Sequence, residues 1–268
     1  MNRFHRVRRV VVLVALALAL MSPLAVALGA GGARLHLISL QAGFDGLAMR
    51  LAPALAVGGL VLGGLGLIAA AAPPRQGAVA SLIAIAVGGA SLGVLAQWRT
   101  DLAKAPPVHD VSTDWTRTQL FSDKLMLARG LDANPIETNP VVPGYAAYGA
   151  LAGQYVGVVN AKTCPAATPV VLTAPPGEAY ARVRAAVTRA GLAIVTDDPA
   201  QGVIEATRTS SLFGFKDDVS LGLQPVGAGT RVDMRAAART GQSDYGRDCQ
   251  LVTRLRTAIA ASGNSRRG

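Results

Sequence analysis

The chain has 268 residues, of which 51% are hydrophobic and only 16% are charged, and its net charge is +10. Soluble proteins carry about 25% charged residues, so the composition excludes an ordinary soluble domain and predicts uncharged membrane spans. High hydrophobicity excludes a disordered chain, and glycines without a period exclude a collagen-like repeat. Residues 1–104 carry a net charge of +7 and the remainder +3, so the positive charge lies mainly beside the predicted spans and does not indicate nucleic-acid binding.

Three uncharged segments predict membrane spans at about residues 10–32, 51–72 and 78–98. Each is long enough, as a helix, to cross a hydrocarbon core of about 30 Å. Four arginines between Arg3 and Arg9 precede the first span and favour a cytoplasmic start, and Pro73 and Pro74 predict the turn between the second and third spans. We therefore expect residues 1–104 to be the membrane region of a multi-pass bacterial inner-membrane protein, with the chain after the third span in the periplasm.

The first span also resembles a cleaved signal peptide, because arginines, an apolar run and the small residues Ala25, Ala27 and Ala30 follow one another. The run is longer than the usual apolar region of about 7–15 residues, which favours a retained span. Both alternatives place the C-terminal part outside the cytoplasm. The middles of the spans carry no ionisable residue, which argues against a transporter or a pump.

Two G-x-x-x-G spacings, Gly59 with Gly63 and Gly89 with Gly93, lie in the second and third spans. Such spacings permit close helix approach. They leave two alternatives open, packing between the spans or homo-oligomerisation, and the abundance of glycine and alanine favours the first.

Beyond the membrane region, the pattern predicts an irregular, proline-rich connecting segment at 105–168 and an α+β domain at 169–268. A short helix is indicated only within 144–160. The α+β domain has predicted strands at 170–173, 192–196, 202–207, 219–223 and 231–237, a helix that opens at Pro176 and ends at Gly191, and a last helix that Ser243 caps. The expected fold class is therefore α+β, three N-terminal transmembrane helices followed by an antiparallel sheet in the order β-α-β-β-β-β-α.

Three ordered motifs then resemble the bacterial domain of unknown function 1499 family. They are PVHDVSTD at 107–114, FGFKDDV at 213–219, and RVDMR leading to RTGQSDYG at 231–246. The resemblance covers roughly residues 106–259, and membrane-tethered members with several N-terminal spans are similar to the whole chain. It implies no activity, substrate or catalytic residue. One departure is the sequence TCPA at 163–166, where a Tyr-Pro-Asp-like stretch is expected.

Cys164 and Cys249 are the two cysteines of the chain. Since both belong to the part expected outside the cytoplasm, a disulfide between them is the favoured interpretation. The alternative is a pair of unpaired, buried cysteines. A metal site is not predicted, because two cysteines without a nearby pair of histidines lack tetrahedral ligand spacing.

A candidate polar cluster follows from the predicted hairpin. If its turn centres near Gly227, Asp217 and Asp218 come close to Arg235 and the segment that leads to Arg239. The full candidate set is His109, Asp110, Asp114, Asp217, Asp218, Arg235, Arg239, Ser243 and Asp244. The set forms either a binding or catalytic site, or cross-strand ion pairs and turns that stabilise the domain, and the second interpretation is favoured.

The sequence supports three hypotheses about the function. The first hypothesis is a non-enzymatic membrane protein whose periplasmic domain binds an envelope partner or an apolar ligand. The second is an envelope enzyme, hydrolase-like, that uses His109 and Asp110 or the cluster of Asp217 and Arg235. The third is a structural membrane subunit. No cofactor is indicated, and the expected partners are the lipid bilayer, a membrane or envelope protein, or a second copy of the chain.

Overall fold

A computed structural model describes residues 3–73 and 75–264. The chain forms two compact units, one made of Met1–Leu102 with Ser211–Gly214 and the other of Ala103–Ser210 with Phe215–Gly268. Pro74, part of the predicted turn between spans, lies outside the described residues, as do residues 265–268 of the predicted α+β domain.

The first unit contains three long helices. They are α1 (Arg3–Arg34), α2 (Ala52–Ala70), which a π-helical segment at Ala42–Leu51 precedes without a break, and α3 (Ala78–Lys104). Each is long and apolar enough to cross a membrane, α2 being counted together with the π-helical segment as Ala42–Ala70. The prediction of three apolar N-terminal helices is thus confirmed.

Small residues bring these helices together. A Cβ atom at Gly59 would lie 2.9 Å from the Cα of Ala19, so α2 touches the backbone of α1 there, and one at Gly63 would lie 3.3 Å from the carbonyl oxygen of Ser81 in α3. Among the described residues, no atom beyond its own surroundings in the helix lies within 4 Å of a Cβ at Gly93. The first G-x-x-x-G spacing therefore serves packing within the unit.

The second unit is built on one antiparallel sheet. Its strands are β1 (Asp110–Ser112), β2 (Val170–Leu172), β3 (Ala193–Asp198), β4 (Val203–Thr209), β5 (Lys216–Val226) and β6 (Gly229–Ala238), in the spatial order β1-β6-β5-β4-β3, with β2 also paired to β6. Its helices are α4 (Asp123–Arg129), α5 (Val156–Thr163), α6 (Pro176–Arg189) and α7 (Arg247–Asn264). The order β2-α6-β3-β4-β5-β6-α7 confirms the predicted fold class, while β1 and α4 are additional elements that the sequence did not predict.

The long hairpin β5–β6 forms the centre of the sheet. Asp218 faces Ala237 and Leu221 faces Met234 across it, and Gly227, at φ +54°, supplies the left-handed backbone of the tight turn. Both strands are longer than predicted, because the pairing continues up to the turn at one end and through the two aspartates at the other.

Alternation along the strands separates two faces. One face carries the aliphatic side chains that pack with α6 and α7, among them Val219, Leu221, Val232, Met234, Val183 and Leu255. The opposite face carries buried polar residues, among them Glu205, Thr207, Asp218, Ser220 and Arg235. The segment that contains α4 lies over this polar face, where Phe121 and Leu125 pack against Ala237. The polar face is therefore buried as well, and its charges must be paired within the fold.

Candidate functional site

Asp110 and Arg235 form a buried, two-pronged ion pair between β1 and β6. The Nε of Arg235 donates to Oδ1 of Asp110 at 3.0 Å and its Nη2 donates to Oδ2 at 2.5 Å. The same guanidinium donates to the carbonyl oxygens of Gln119 (3.2 Å) and Glu137 (2.6 Å). Burial raises the pKa of Asp110, against the opposing effect of the Arg235 guanidinium. The pair thus fastens the α4 segment to the sheet.

Asp218 is the centre of a second cluster on the same face. Arg129 of α4 donates to its Oδ2 at 2.8 Å, and Arg239 reaches both of its oxygens at 2.7 and 2.8 Å. Thr207 donates to Oδ1 at 2.5 Å. Arg129 also donates to the carbonyl oxygen of Ala237 at 3.1 Å. The carboxylate is therefore saturated with donors from α4, β4 and the end of β6.

The side chain of Asp217 lies on the opposite face of the sheet, the one that α6 and α7 cover. It pairs with Arg208 at 2.6 Å and with Arg247, at the start of α7, at 2.9 Å. Across the hairpin Asp217 faces Ala238, whereas Arg235 faces Ser220. The structure therefore separates Asp217 from Arg235, which the hairpin had been expected to bring together. It does bring Asp218 to Arg239, which belongs to the segment that the same expectation named.

A third group lies where α7 begins. Asp244, rather than the predicted Ser243, caps this helix, because its two oxygens accept from the backbone N–H groups of Gly246 (2.7 Å) and Asp248 (2.8 Å). Ser243 instead donates to the carbonyl oxygen of Pro106 at 2.8 Å.

Asp248 and His109 add two titratable side chains to this group. Asp248 is fully buried, and within the described residues neither of its carboxyl oxygens has a hydrogen-bond partner. Burial, and then the charges of Asp244 and Asp217, raise the pKa of Asp248 well above its ordinary value. Burial lowers the pKa of His109, and the nearby charge of Asp110 opposes this shift. A buried carboxyl group with a raised pKa and an imidazole with a lowered pKa therefore lie near the start of α7.

Asp114, the remaining candidate residue, pairs with an arginine and caps a turn. Its carboxylate accepts from Arg231 at 2.5 Å and caps a 3-10 turn by accepting from the backbone N–H of Thr116 at 2.9 Å. Arg231 also bonds to Asp233 on its own strand. The candidate set is thus distributed over several ion-paired groups. No group of three or more His, Cys, Asp or Glu side chains within residues 3–73 and 75–264 is arranged to hold a metal ion.

Cys164 and Cys249 are joined in a disulfide, with their Cα atoms 5.8 Å apart. The bond links the end of α5 to the first turn of α7 and closes a separation of 85 residues. The predicted pairing is confirmed. The disulfide fixes the first turn of α7, where Cys249 follows Asp248.

A groove of about 570 Å³ lies beside α4 in the second unit. Its lining is Asp123, Met126, Leu127, Arg129, Gly130, Leu131, Ala133, Asn134 and Pro135. Leu127 is 84% exposed and Leu131 is fully exposed. Arg129 and Asn134 are already bonded to Asp218 and to the carbonyl oxygen of Ala238, respectively. The groove therefore offers mainly an apolar wall to a ligand.

A model of a family of unknown function, DUF1499, matches residues 110–259, more than half of the chain. The chain belongs to this family. No curated protein matches the chain. The DUF1499 match begins at β1 and ends within α7, so it includes the sheet, the ion-paired groups and the groove.

Within the DUF1499 domain, several site residues have no sequence signal that singles them out. Arg129 and Ser122 come from the connecting segment, which has no regular pattern. Glu205, whose carboxylate accepts from the backbone N–H of Ser122 at 2.7 Å and from its hydroxyl, carries a weak signal. It alternates with Ile204 and Ala206 along a predicted strand, which places it on the polar face.

Proposed function

We propose that the protein is a bacterial inner-membrane protein whose DUF1499 domain lies in the periplasm and binds an apolar ligand in the groove beside α4. The exposure of Leu127 and Leu131 is the observation that carries this proposal. Isolated exposed leucines are common, but here two of them flank one groove whose volume lies within the range of about 300–1,000 Å³ typical of ligand sites.

The inner side of the groove is rigidly held, which favours binding by a preformed wall. Arg129, at the end of α4, is anchored to Asp218 and to the carbonyl oxygen of Ala237, and Leu125 packs against the sheet from the same helix. A ligand that enters the groove therefore does not need to order α4, and the entropic cost of binding is correspondingly lower. The aliphatic lining favours an alkyl or acyl chain.

Two features support a periplasmic domain. A structural disulfide persists in oxidising compartments and is rare in the cytosol. The arginines at the start of α1 favour retention of that end in the cytoplasm, and three spans then lead the chain out.

The enzyme alternative has less support from the geometry. Asp110, Asp217 and Asp218 are buried, and each is held by at least one arginine. A general base or nucleophile needs a substrate within hydrogen-bond reach. Asp248, which has no partner within the described residues, and the buried His109 nitrogen are the groups that still favour an enzyme, and neither lines the groove.

Ligand binding is tested with the purified full-length protein in detergent. A fluorescent fatty acid is titrated against the wild type, Leu131→Ser and Leu127→Ser. We expect each substitution to weaken binding about tenfold or more, because a leucine that the ligand covers contributes roughly 1.5–3 kcal/mol of apolar contact. Val171→Ser is the matched control, because Val171 is an exposed aliphatic residue of β2, away from the groove. Equal affinity of all four proteins would overturn the groove proposal.

Orientation is tested separately in intact cells. A membrane-impermeant thiol reagent is applied with and without prior reduction, and Cys164 and Cys249 are analysed by mass spectrometry. Labelling that requires reduction supports a periplasmic, bridged domain. Labelling in lysed but not in intact reduced cells would place the domain in the cytoplasm.

A further inference from the structure

The first unit contains a second pocket, at the end of the helices where α1 begins. It has a volume of about 440 Å³ and is lined by His5, Arg8, Arg9, Val12, Leu13, Gln76, Gly77 and Ala80. It lies between the first turns of α1 and the connection from α2 to α3. Two arginines, a histidine and an amide thus share one small space with aliphatic side chains.

Arg8 is the central residue of this pocket. It is 4% exposed, and its Nη1 donates to the carbonyl oxygens of Ala69 (3.4 Å) and Ala72 (3.1 Å) at the end of α2. Carbonyls at a helix C-terminus lack the i+4 partners of the helix interior, and a cation is favoured there. Neutral carbonyls do not balance a buried positive charge, so the guanidinium still favours an anion beside it.

Within the described residues of the first unit, no acidic side chain lies at this end. Among residues 1–104 the acidic residues are Asp45 and Asp101. Gly59 and Gly66 of α2 pack on Ala19 and Val12 of α1, in that order, and Ser81 and Gly88 of α3 lie near Gly63 and Ala56 of α2. Positions rise along one helix as they fall along the next, so successive helices run in opposite directions. Asp45, after the end of α1, and Asp101, in the last turns of α3, therefore both lie at the other end of the helices.

Further arginines increase the positive charge around the pocket. Arg3 and Arg6 belong to the same turns of α1, and Arg75 belongs to the α2–α3 connection. His5 adds a ring nitrogen, Nδ1, that is buried and has no hydrogen-bond partner within the described residues. The site thus has donors and charge for an oxyanion with several acceptor oxygens.

The apolar wall indicates what the oxyanion is attached to. Val12 is buried inside the helices, whereas Leu13 is half exposed on the outer surface of α1, a helix apolar enough to span a membrane. The wall of the pocket therefore continues onto a surface that faces lipid in a bilayer. Gly77, at φ +91°, lies against Val12, where an added Cβ would come within 3.2 Å of its side chain, so glycine keeps this wall open.

We propose that this pocket binds the headgroup phosphate of an anionic phospholipid, with Arg8 and Arg9 on the phosphate oxygens and an acyl chain along Val12 and Leu13. Basic pockets between membrane helices are a known mode of anionic-lipid recognition. The proposal concerns the first unit alone and does not depend on the ligand of the DUF1499 domain.

The test measures lipid retention by the full-length protein in detergent with native mass spectrometry. Phosphatidylglycerol and phosphatidylcholine of equal chain length are titrated, and we expect the anionic lipid to be retained preferentially. Arg9→Gln should weaken its retention about fivefold, the effect of one arginine near a lipid phosphate. Arg50→Gln is the matched control, since Arg50 is an exposed arginine at the other end of the helices. Arg8→Gln should weaken retention of the anionic lipid more than Arg9→Gln does. Its melting temperature is measured as well, because Arg8 also bonds to the end of α2.

Two results would overturn the proposal. If Arg50→Gln lowers retention as much as Arg9→Gln does, the attraction is a general effect of surface charge and the pocket is not a site. If inorganic phosphate displaces the bound lipid as effectively as added phosphatidylglycerol does, the pocket binds a free oxyanion and the acyl wall contributes nothing.

Discussion

Arg235 holds Asp110 through both carboxylate oxygens across strands that are 125 residues apart in the chain. Both side chains are buried, at 0% and 3% exposure. The pair joins the short β1 to β6, and the remaining donors of Arg235 bond to carbonyl oxygens of the α4 segment. One side chain therefore stabilises both the strand that enters the domain and the segment that covers the polar face.

Asp110→Ala should destabilise the protein by about 3–5 kcal/mol, because it leaves the Arg235 charge buried without a partner. The double variant Asp110→Leu with Arg235→Met should recover much of this loss, since no unpaired charge remains. Chemical unfolding of the full-length protein, followed by tryptophan fluorescence, measures both, because Trp115 lies 5.4 Å from the Arg235 guanidinium. If Asp110→Ala is as stable as the wild type, the prediction is wrong, and the enzyme alternative, in which Asp110 acts on a substrate, is favoured.

The pH dependence of stability should carry the signature of Asp248. Its pKa is raised in the folded state above the ordinary value of 3.8, chiefly by burial. Above that pH the unfolded chain binds fewer protons than the folded one, so this group lowers the free energy of unfolding as the pH rises. Asp248→Asn removes the titration, and it should therefore raise the melting temperature more at pH 8 than at pH 5.

The control for this prediction is Asp132→Asn, which changes the same charge at an exposed position of the second unit. Its effect on the melting temperature should be small at both values of pH. If Asp248→Asn is destabilising, and equally so at both, Asp248 is ionised in the folded protein and its charge is used.

The disulfide should make a large contribution to stability. Closing a separation of 85 residues contributes on the order of 4 kcal/mol in the chain-entropy model. We expect reduction, or replacement of Cys164 and Cys249 by serine, to lower the free energy of unfolding of the full-length protein by a similar amount, and its melting temperature with it. The double serine variant should not respond to reductant. A wild type that melts at the same temperature with and without reductant would contradict the prediction.

The sequence predicts those parts of the fold that have a local pattern. The hairpin strands alternate, and their turn contains Gly227, so β5, β6 and the pairing of Asp218 with Arg239 near its open end follow from local spacing. The three apolar helices follow from length and composition alone. The fold class is confirmed on the same basis.

What the sequence does not predict depends on distant partners. The strand β1 has three residues and exists through its pairing with β6. Arg129 reaches Asp218 across 89 positions, and no spacing rule links such residues. The exact register also mattered, because it places Ala237 and Ala238 opposite the two aspartates, which separates Asp217 from Arg235.

The two G-x-x-x-G spacings should differ in their response to a larger side chain. Gly59→Leu places a Cβ 2.9 Å from the Ala19 backbone, so the helices must move apart, and a loss of about 1–3 kcal/mol or more is expected. Gly93→Leu, the matched control, enters open space within the described residues and should leave the melting temperature unchanged. Native mass spectrometry of both variants also tests homo-oligomerisation. If Gly93→Leu dissociates an oligomer that the wild type forms, the second spacing is a contact between copies of the chain.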